Sequence, residues 1–179
     1  FARLNALEGG EPFEYDPLQR DLLEYGKGMG FRITLWATMT NAHPWRGGGP
    51  FRPDRPDWLT TEVRYRPANY TFNTAEAEAG TWRTVRANCM GNEPFVGWLE
   101  EIIRGRLGSG LYDGFSLDGD FAGGPGFTGL RCPCRAENHD HLPGDADYAC
   151  RRNVARMLER IRRDFPGCYI WLMRPMMDL

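Results

Sequence analysis

Apolar residues recur at the spacing of one helix face in three segments of the chain. Recognisable start and stop signals bound each segment, so the pattern predicts three amphipathic helices. The clearest start is Asp16-Pro17, which places aspartate at the N-cap and proline at the first helical position. The other boundaries are set by Gly26, Gly28 and Gly30, by Asn92-Glu93-Pro94 and Gly108, and by Asp145 or Asp147 and Pro166-Gly167.

Each predicted helix is followed by a short segment of β-branched and aromatic residues, which predicts a strand. The three strands cover residues 31–37, 112–121 and 168–173. A regular order of helix and strand favours parallel strands joined by right-handed crossovers. The sequence therefore predicts the α/β class, and the apolar strands predict a sheet that is covered on both faces.

A long segment, residues 38–94, interrupts this alternation. Between positions 44 and 56 it holds three consecutive glycines and four prolines, so no regular structure is expected there. A loop of this length in a compact domain is usually functional. Its aromatic rings either cover a ligand or only anchor the loop, and the sequence leaves both interpretations open.

Composition and charge exclude several classes of protein. The 179 residues correspond to one domain, and 22 basic against 24 acidic residues give a net charge of −2. A chain with this net charge lacks the positive electrostatic potential that nucleic-acid binding requires, so no nucleic-acid partner is expected. No apolar run reaches the roughly 18 residues that would cross a bilayer, and no signal-peptide pattern opens the chain, so no membrane partner is expected. Five cysteines do not suit a full disulfide framework, and they leave the compartment open.

Polar residues follow each predicted strand, and parallel strands bring such residues to one edge of the sheet. Asp118 is pivotal, because it lies where a strand leaves the core and a flanking glycine permits close approach of a ligand. Its carboxylate can act as a nucleophile or a metal ligand, although Asp-Gly-Asp is also typical of a plain turn. The other polar residues at this edge are Asn41, His43, Asp120 and Arg174.

A second group of reactive side chains lies between residues 132 and 150, namely Cys132, Cys134, His139, His141 and Cys150. Zinc prefers cysteine and histidine, but Cys-x-Cys is not the usual ligand pair and no second pair stands far off. The group therefore forms a structural zinc site, contributes to a disulfide, or holds free cysteines beside histidines that bind loop groups or sugar. We favour the third interpretation and expect no metal and no cofactor.

Three blocks of sequence resemble one family of enzymes. They are Gly-Phe-Arg-Ile-Thr-Leu-Trp at 30–36, Trp-Leu-Glu-Glu-Ile-Ile at 98–103, and Gly-Leu-Tyr-Asp-Gly-Phe-Ser-Leu-Asp at 110–118. Together they resemble the α-galactosidase (melibiase-like) superfamily of glycoside hydrolases, and residues 89–94 also have a counterpart there. The likeness extends over residues 12–179 but is strong only in these blocks. The family commonly has a lysine two residues before its aspartate, where this chain has Ser116.

The resemblance implies a (β/α)8 TIM-type barrel and retaining hydrolysis of an oligosaccharide or glycoside, with Asp118 as the nucleophile. Such a barrel takes about 250 residues, so the chain is expected to be a single catalytic-barrel domain that is incomplete at both ends. The acid/base carboxyl group is expected beyond Leu179. The resemblance further implies that Trp36 stacks on a sugar and that hydroxyls are bound by Asp120, His139, His141 and Arg174.

Two alternatives to the glycosidase hypothesis remain. One is a metal-dependent barrel hydrolase that uses Asp118 and Asp120 together with His139 and His141. The other is a barrel-derived carbohydrate-binding domain without catalytic activity. Stoichiometric zinc that is lost in Asp118→Asn distinguishes the first alternative from a glycosidase, and turnover of glycosides distinguishes the second.

Overall fold

The computed structural model of the protein describes residues 17–38, 54–59, 63–65, 83–85, 88–118 and 134–172. In chain order, these residues form α1 Pro17–Gly28, β1 Thr34–Thr38, a short 3-10 helix Pro56–Trp58, β2 Val63–Tyr65, β3 Arg83–Val85, α2 Glu93–Gly108, β4 Gly114–Asp118, α3 Ala146–Asp164 and β5 Tyr169–Leu172.

Strands β1, β4 and β5 form a three-stranded sheet in that spatial order, and both strand pairs are parallel. The predicted α/β class is therefore confirmed, because a helix precedes each of these strands along the chain. The three strands are shorter than the predicted segments. The difference arises because a strand extends only as far as its backbone pairs with a neighbouring strand, whereas the prediction followed the apolar composition.

The helices begin and end near the predicted signals. Proline in the first turn of α2 supplies a fixed φ where no intrahelical N–H bond is lost, and Asn92 precedes the helix at its N-cap. Helix α3 likewise follows Asp145 at the N-cap position. None of the helices within the described ranges is both long and apolar enough to cross a membrane.

One face of the parallel sheet forms the hydrophobic core. Leu35, Phe115 and Leu117 are buried there, and Phe115 and Leu117 have no exposed surface. The same core cluster includes Leu99 from α2 and Met157 from α3. Burying such side chains stabilises the fold by about 1.5–3 kcal/mol each, so this layer accounts for much of the stability.

The opposite face of the sheet carries the alternate residues of each strand. Trp36, Ser116 and Trp171 lie side by side in the register. Trp36 and Ser116 are half-buried, and Trp171 is 66% exposed. The expectation of a sheet covered on both faces is therefore not met in the part of the chain that the structure describes.

The expectation of an irregular segment over residues 38–94 is wrong in part. Strands β2 and β3 pair in antiparallel fashion, and Leu59 forms an isolated bridge with Asn88. Each of these strands is only three residues long. Sequence periodicity cannot reveal such short strands, because the pairing that defines them joins positions about twenty residues apart.

Asp113 connects three elements at the amino edge of the sheet. Its carboxylate accepts hydrogen bonds from Lys27 Nζ and from the Ile33 backbone N–H, each 2.8 Å long. Its backbone carbonyl accepts a further hydrogen bond from the Tyr169 N–H at the start of β5. Burial raises the pKa of this carboxyl, but the bonds from Lys27 and Ile33 outweigh burial and lower the pKa below its usual range. Asp113 therefore has a structural role at this edge.

Glu100 joins α2 to α3 through a buried carboxylate. Its Oε2 lies 2.6 Å from Arg160 Nη2 on α3, and its Oε1 lies 2.8 Å from Arg104 Nε on its own helix. Arg104 also pairs with Asp164 at the end of α3. Burial raises the pKa of Glu100, yet the hydrogen bonds from Arg160 and Arg104 lower it below 4.5 overall. The carboxylate is therefore charged at neutral pH.

We expect Glu100→Gln to lower the free energy of unfolding by about 1–3 kcal/mol at pH 7, because two arginines lose a partly buried charged partner. The lowered pKa means that this contribution is present above about pH 4.5 and is lost as the pH falls through the folded-state pKa. Urea unfolding at pH 7 and pH 3 should show the difference from wild type shrinking at low pH. Glu101→Gln, at the exposed neighbouring position, should change stability by less than about 0.5 kcal/mol. If Glu100→Gln lowered the free energy of unfolding equally at both pH values, the stabilising role of the charged Glu100 carboxylate would be wrong.

Candidate catalytic edge and metal centre

The carboxyl edge of the sheet contains Asp118, the residue that the sequence predicts as the nucleophile. Strand β4 ends at Asp118, and this strand lies between β1 and β5. Thr38, the last residue of β1, is the register partner of Asp118. The two strands therefore end level with each other, and Asp118 occupies the end of the central strand. In parallel α/β folds this is the edge where substrates bind.

The other predicted site residues are placed less completely. Trp36 lies on the half-covered face of the sheet, two residues before β1 ends. His139 and His141 lie in the segment before α3. Asp120 and Arg174 fall outside the described residues, as do Asn41, His43 and Cys132.

Two loop segments meet beside this edge, because the helices of parallel units begin where the preceding strands end. One segment, residues 88–92, leads into α2, and the other, residues 134–145, leads into α3. Where the segments meet, Cys89 of the first segment lies beside Cys134, His139 and His141 of the second. One ligand atom from each of these four side chains lies within 4.8 Å of all the others. We call this group the Cys/His cluster.

Each cysteine sulfur of the Cys/His cluster contacts one imidazole nitrogen. Cys89 Sγ lies 3.4 Å from His141 Nε2, and Cys134 Sγ lies 3.3 Å from His139 Nδ1. The two imidazole rings meet edge to face, with centroids 5.4 Å apart. Both cysteines and His139 are buried, whereas His141 is partly exposed. Two sulfur atoms and two nitrogen atoms that can ligate a metal thus lie close together in a largely buried part of the molecule.

The second nitrogen of each histidine faces a backbone carbonyl. His139 Nε2 lies 2.7 Å from the Asp57 carbonyl oxygen, and His141 Nδ1 lies 3.0 Å from the Leu142 carbonyl oxygen. A carbonyl only accepts hydrogen bonds, so each of these nitrogens carries the proton. In a neutral imidazole, His139 Nδ1 and His141 Nε2 then present lone pairs to the sulfur atoms. These contacts place both rings in the tautomer that a metal ligand requires.

Hydrogen bonds hold the two loop segments in place around the Cys/His cluster. The Cys89 N–H donates to the Trp58 carbonyl. Asn153 on α3 donates through Nδ2 to the carbonyls of Met90 and Gly91. Asp140, between the two histidines, accepts a hydrogen bond from the Glu93 N–H at the first turn of α2. These hydrogen bonds anchor the loop of Cys89 to α3 and to Trp58, and they join the loop of the two histidines to the start of α2.

Gly91 leaves the space that the His141 ring occupies. A Cβ atom at position 91 would lie 2.7 Å from His141 Cδ2 and 3.4 Å from Ala149 Cβ. Any larger residue would require the His141 ring to shift. The lack of a side chain at position 91 is therefore part of the geometry of the cluster.

The environment of His139 favours positive charge. Burial by itself lowers the pKa of this imidazole. The Cys134 sulfur and the Asp57 carbonyl act in the opposite direction and outweigh burial, so the pKa is raised above 6.5.

Sequence reasoning found three members of the Cys/His cluster and missed the fourth. Cys89 is separated from Cys134 by the whole of α2 and β4, so no local spacing joined them. Cys150, which the sequence grouped with this loop, instead belongs to the main hydrophobic core. The four described cysteines, Cys89, Cys134, Cys150 and Cys168, form no disulfide with one another.

His139 and His141 were predicted to bind sugar hydroxyls, and that role stays a prediction. Each ring has a sulfur contact on one nitrogen and a carbonyl contact on the other. Since neither nitrogen is left for a hydroxyl, the geometry favours metal ligation over sugar contact.

Comparison with known proteins gives no further guide to the site. No protein family, curated protein or solved structure matches the chain. The resemblance to the α-galactosidase superfamily therefore depends on the three sequence blocks alone. The function has to be inferred from the strand ends and the side chains described above.

Proposed function

We propose that the chain belongs to the catalytic domain of a retaining glycoside hydrolase, with Asp118 as its nucleophile. The observation that carries this proposal is the position of Asp118 at the carboxyl end of the central strand in a parallel sheet. A carboxylate at that edge is where barrel enzymes place reacting groups. The resemblance of residues 110–118 to the α-galactosidase superfamily assigns the same residue.

The arrangement of strands and helices supports a (β/α)8 barrel as the complete architecture. Strands β1, β4 and β5 follow the same order across the sheet as along the chain, although the small hairpin of β2 and β3 intervenes between β1 and β4. Helices α2 and α3 contact each other, and their buried residues join one core cluster with a single face of the sheet. A doubly wound sheet would instead place helices on both faces. Parallel strands in chain order, with the described helices packed on one face, are the arrangement of a barrel wall.

The uncovered surfaces of the described unit also support a larger barrel. Trp171 and Tyr169 on β5 are 66% and 51% exposed. On the opposite flank, Leu22 and Tyr25 of α1 are 60% and 68% exposed. Parallel sheets are ordinarily buried on both faces, and large exposed apolar patches mark contact surfaces. Further strand-helix units would cover both flanks and enclose the second face of the sheet as the barrel interior.

In the proposed mechanism the Asp118 carboxylate attacks the anomeric carbon of the substrate. A second carboxyl group, about 5–5.5 Å away, protonates the departing oxygen. The resulting glycosyl-enzyme is hydrolysed by water, from which the second carboxyl group takes a proton. We assign that carboxyl group to another strand of the barrel. Trp36 is proposed to stack on the sugar, and Asp120 and Arg174 are proposed to bind its hydroxyls.

The metal-dependent alternative is less well supported by the geometry. A catalytic zinc ion has three protein ligands and keeps one position open for water or substrate. The Cys/His cluster offers four ligand atoms, which fill a tetrahedral site. The cluster therefore favours a structural role, and the glycosidase proposal needs no catalytic metal.

The proposal is tested with the complete gene product and a panel of α- and β-linked aryl glycosides. We expect turnover of at least one glycoside, and NMR of the first-formed sugar should show retention of the anomeric configuration. Inversion would exclude a covalent role for Asp118. Binding of an oligosaccharide without turnover of any glycoside would instead identify a non-catalytic carbohydrate-binding domain.

A further inference from the structure

We propose that Cys89, Cys134, His139 and His141 bind a structural zinc ion that cross-links the loop before α2 to the loop before α3. This site is independent of the proposed glycosidase activity. Four ligand atoms of the right chemical type lie within 4.8 Å of one another, and hydrogen bonds anchor Cys89 and the neighbours Met90 and Asp140 of the ligand residues.

Two distances between ligand atoms have the length expected around a tetrahedral zinc ion. With Zn–S near 2.3 Å and Zn–N near 2.0–2.1 Å, a tetrahedral site separates a sulfur from a nitrogen by about 3.5 Å. The two sulfur-nitrogen contacts in the cluster are 3.4 and 3.3 Å. The four ligand atoms all lie within 4.8 Å of one another, so one ion could contact all of them after the side chains close around it.

The outer contacts of the histidines match those of metal-bound imidazoles. A ligating histidine almost always donates its other N–H to a carboxylate, carbonyl or water, which fixes the tautomer and the ring orientation. His139 does so to Asp57, and His141 does so to Leu142. Two separate rings meet this condition, and in the neutral form of each ring the nitrogen near the sulfur is the one that offers a lone pair. Cysteines and histidines that lay together without binding a metal would not need a carbonyl contact on the outer nitrogen of both rings.

The ligand set selects zinc and a structural role. Two thiolates and two imidazoles suit zinc, whereas hard cations prefer oxygen ligands. Four protein ligands leave no position for water. The position of the cluster supports the same conclusion, because Cys89 and Cys134 are buried against Ala146 at the start of α3.

The proposed ion would fasten the loops that border the carboxyl edge of the sheet. It joins Cys89 directly to three ligands that lie 45–52 residues further along the chain. His139 extends the connection to a third segment, because the Asp57 carbonyl belongs to residues 54–59. Holding three chain segments together in this way removes much of the conformational freedom that long loops retain. The zinc ion would thus shape the walls around the end of β4 without taking part in the reaction.

Metal analysis of the complete protein is the first test. We expect one equivalent of zinc per chain in wild type and less than a tenth of that in Cys134→Ala. Cys150→Ala is the matched control, because Cys150 is equally buried, at 1% exposed, but lies outside the cluster. It should retain one equivalent. Equal zinc content in wild type and a Cys89→Ala, Cys134→Ala double variant would overturn the proposal.

Cobalt titration of the metal-free wild-type protein tests the same site without depending on how the variants fold. One equivalent of Co²⁺ should give the intense visible bands of tetrahedral coordination and a thiolate-to-metal charge-transfer band, and zinc should displace it. Adding zinc in about 100-fold excess over its dissociation constant should raise the unfolding midpoint by roughly 5–10 °C. Octahedral-type spectra, no cobalt binding, or a Cys89–Cys134 disulfide in protein that holds no metal would each overturn the proposal.

Discussion

Replacing Asp118 by asparagine in the complete protein is expected to lower kcat for aryl glycosides by about 10⁴-fold or more. The amide cannot attack the anomeric carbon, so no glycosyl-enzyme forms and only uncatalysed or weakly assisted hydrolysis remains. Steady-state kinetics on the best aryl glycoside of the panel measures the effect. Turnover within tenfold of wild type would show that Asp118 is not the nucleophile.

Asp113→Asn is the matched control for this experiment. Asp113 is also an aspartate next to β4, but it directly precedes the strand. At this amino edge of the sheet its carboxylate accepts hydrogen bonds from Lys27 and Ile33. Barrel enzymes use this edge for stability and the opposite edge for catalysis. We therefore expect Asp113→Asn to lower the free energy of unfolding by about 1–2 kcal/mol while leaving kcat within a few-fold of wild type.

Chemical rescue distinguishes loss of the nucleophile from general damage to the site. In Asp118→Ala, azide can enter the space left by the carboxylate and attack the anomeric carbon. Activity should rise with azide concentration, and the glycosyl azide should have the inverted anomeric configuration. The absence of rescue, together with a normal unfolding midpoint, would argue for a role of Asp118 other than nucleophilic attack.

Gly114→Ala is expected to destabilise the fold by about 3 kcal/mol or more. A Cβ atom at position 114 would overlap the Tyr169 carbonyl of β5 and would lie 2.7 Å from both its carbonyl carbon and its Cβ. Backbone atoms within a parallel ladder cannot rotate aside as a side chain can, so the clash has to separate β4 from β5. Equilibrium unfolding in urea measures the loss.

Gly97→Ala is the control for the effect of the added methyl group. Gly97 lies in α2, and a Cβ atom there would meet nothing within 4 Å. Alanine is the better helix former, so this variant should be more stable than wild type by about 0.5–1 kcal/mol. If Gly114→Ala were as stable as wild type, the close approach of β5 to position 114 would be wrong.

The helices and strands could be predicted from the sequence because their signals are local. Proline in the first turn of α2 and an apolar stripe of Phe95, Leu99 and Ile103 are enough to identify that helix. The strand before Asp118 was also readable from its apolar residues, although the predicted segment ran on to residue 121 and the ladder ends at Asp118. Because the order of helix and strand also follows from these signals, the α/β class was predictable without any tertiary information.

The sequence could not reveal contacts between residues that are distant along the chain. Strands β2 and β3 exist only through their pairing with each other, and the close approach at Gly114 depends on the register with β5. The one-sided covering of the sheet was also missed. Trp171 has the apolar character of a core residue, but only the packing of the helices decides which face of the strand is buried.

The sequence by itself determined the three helices, the three strands of the parallel sheet, their order along the chain and the position of Asp118 near a strand end. Only the tertiary structure decided that Cys89 meets Cys134, His139 and His141, and which nitrogen of each histidine faces the sulfur atoms. The physical reason is the range of the interactions. Helix and strand signals act over a few residues, whereas a metal centre needs ligand atoms brought within a few ångströms from opposite ends of a folded unit.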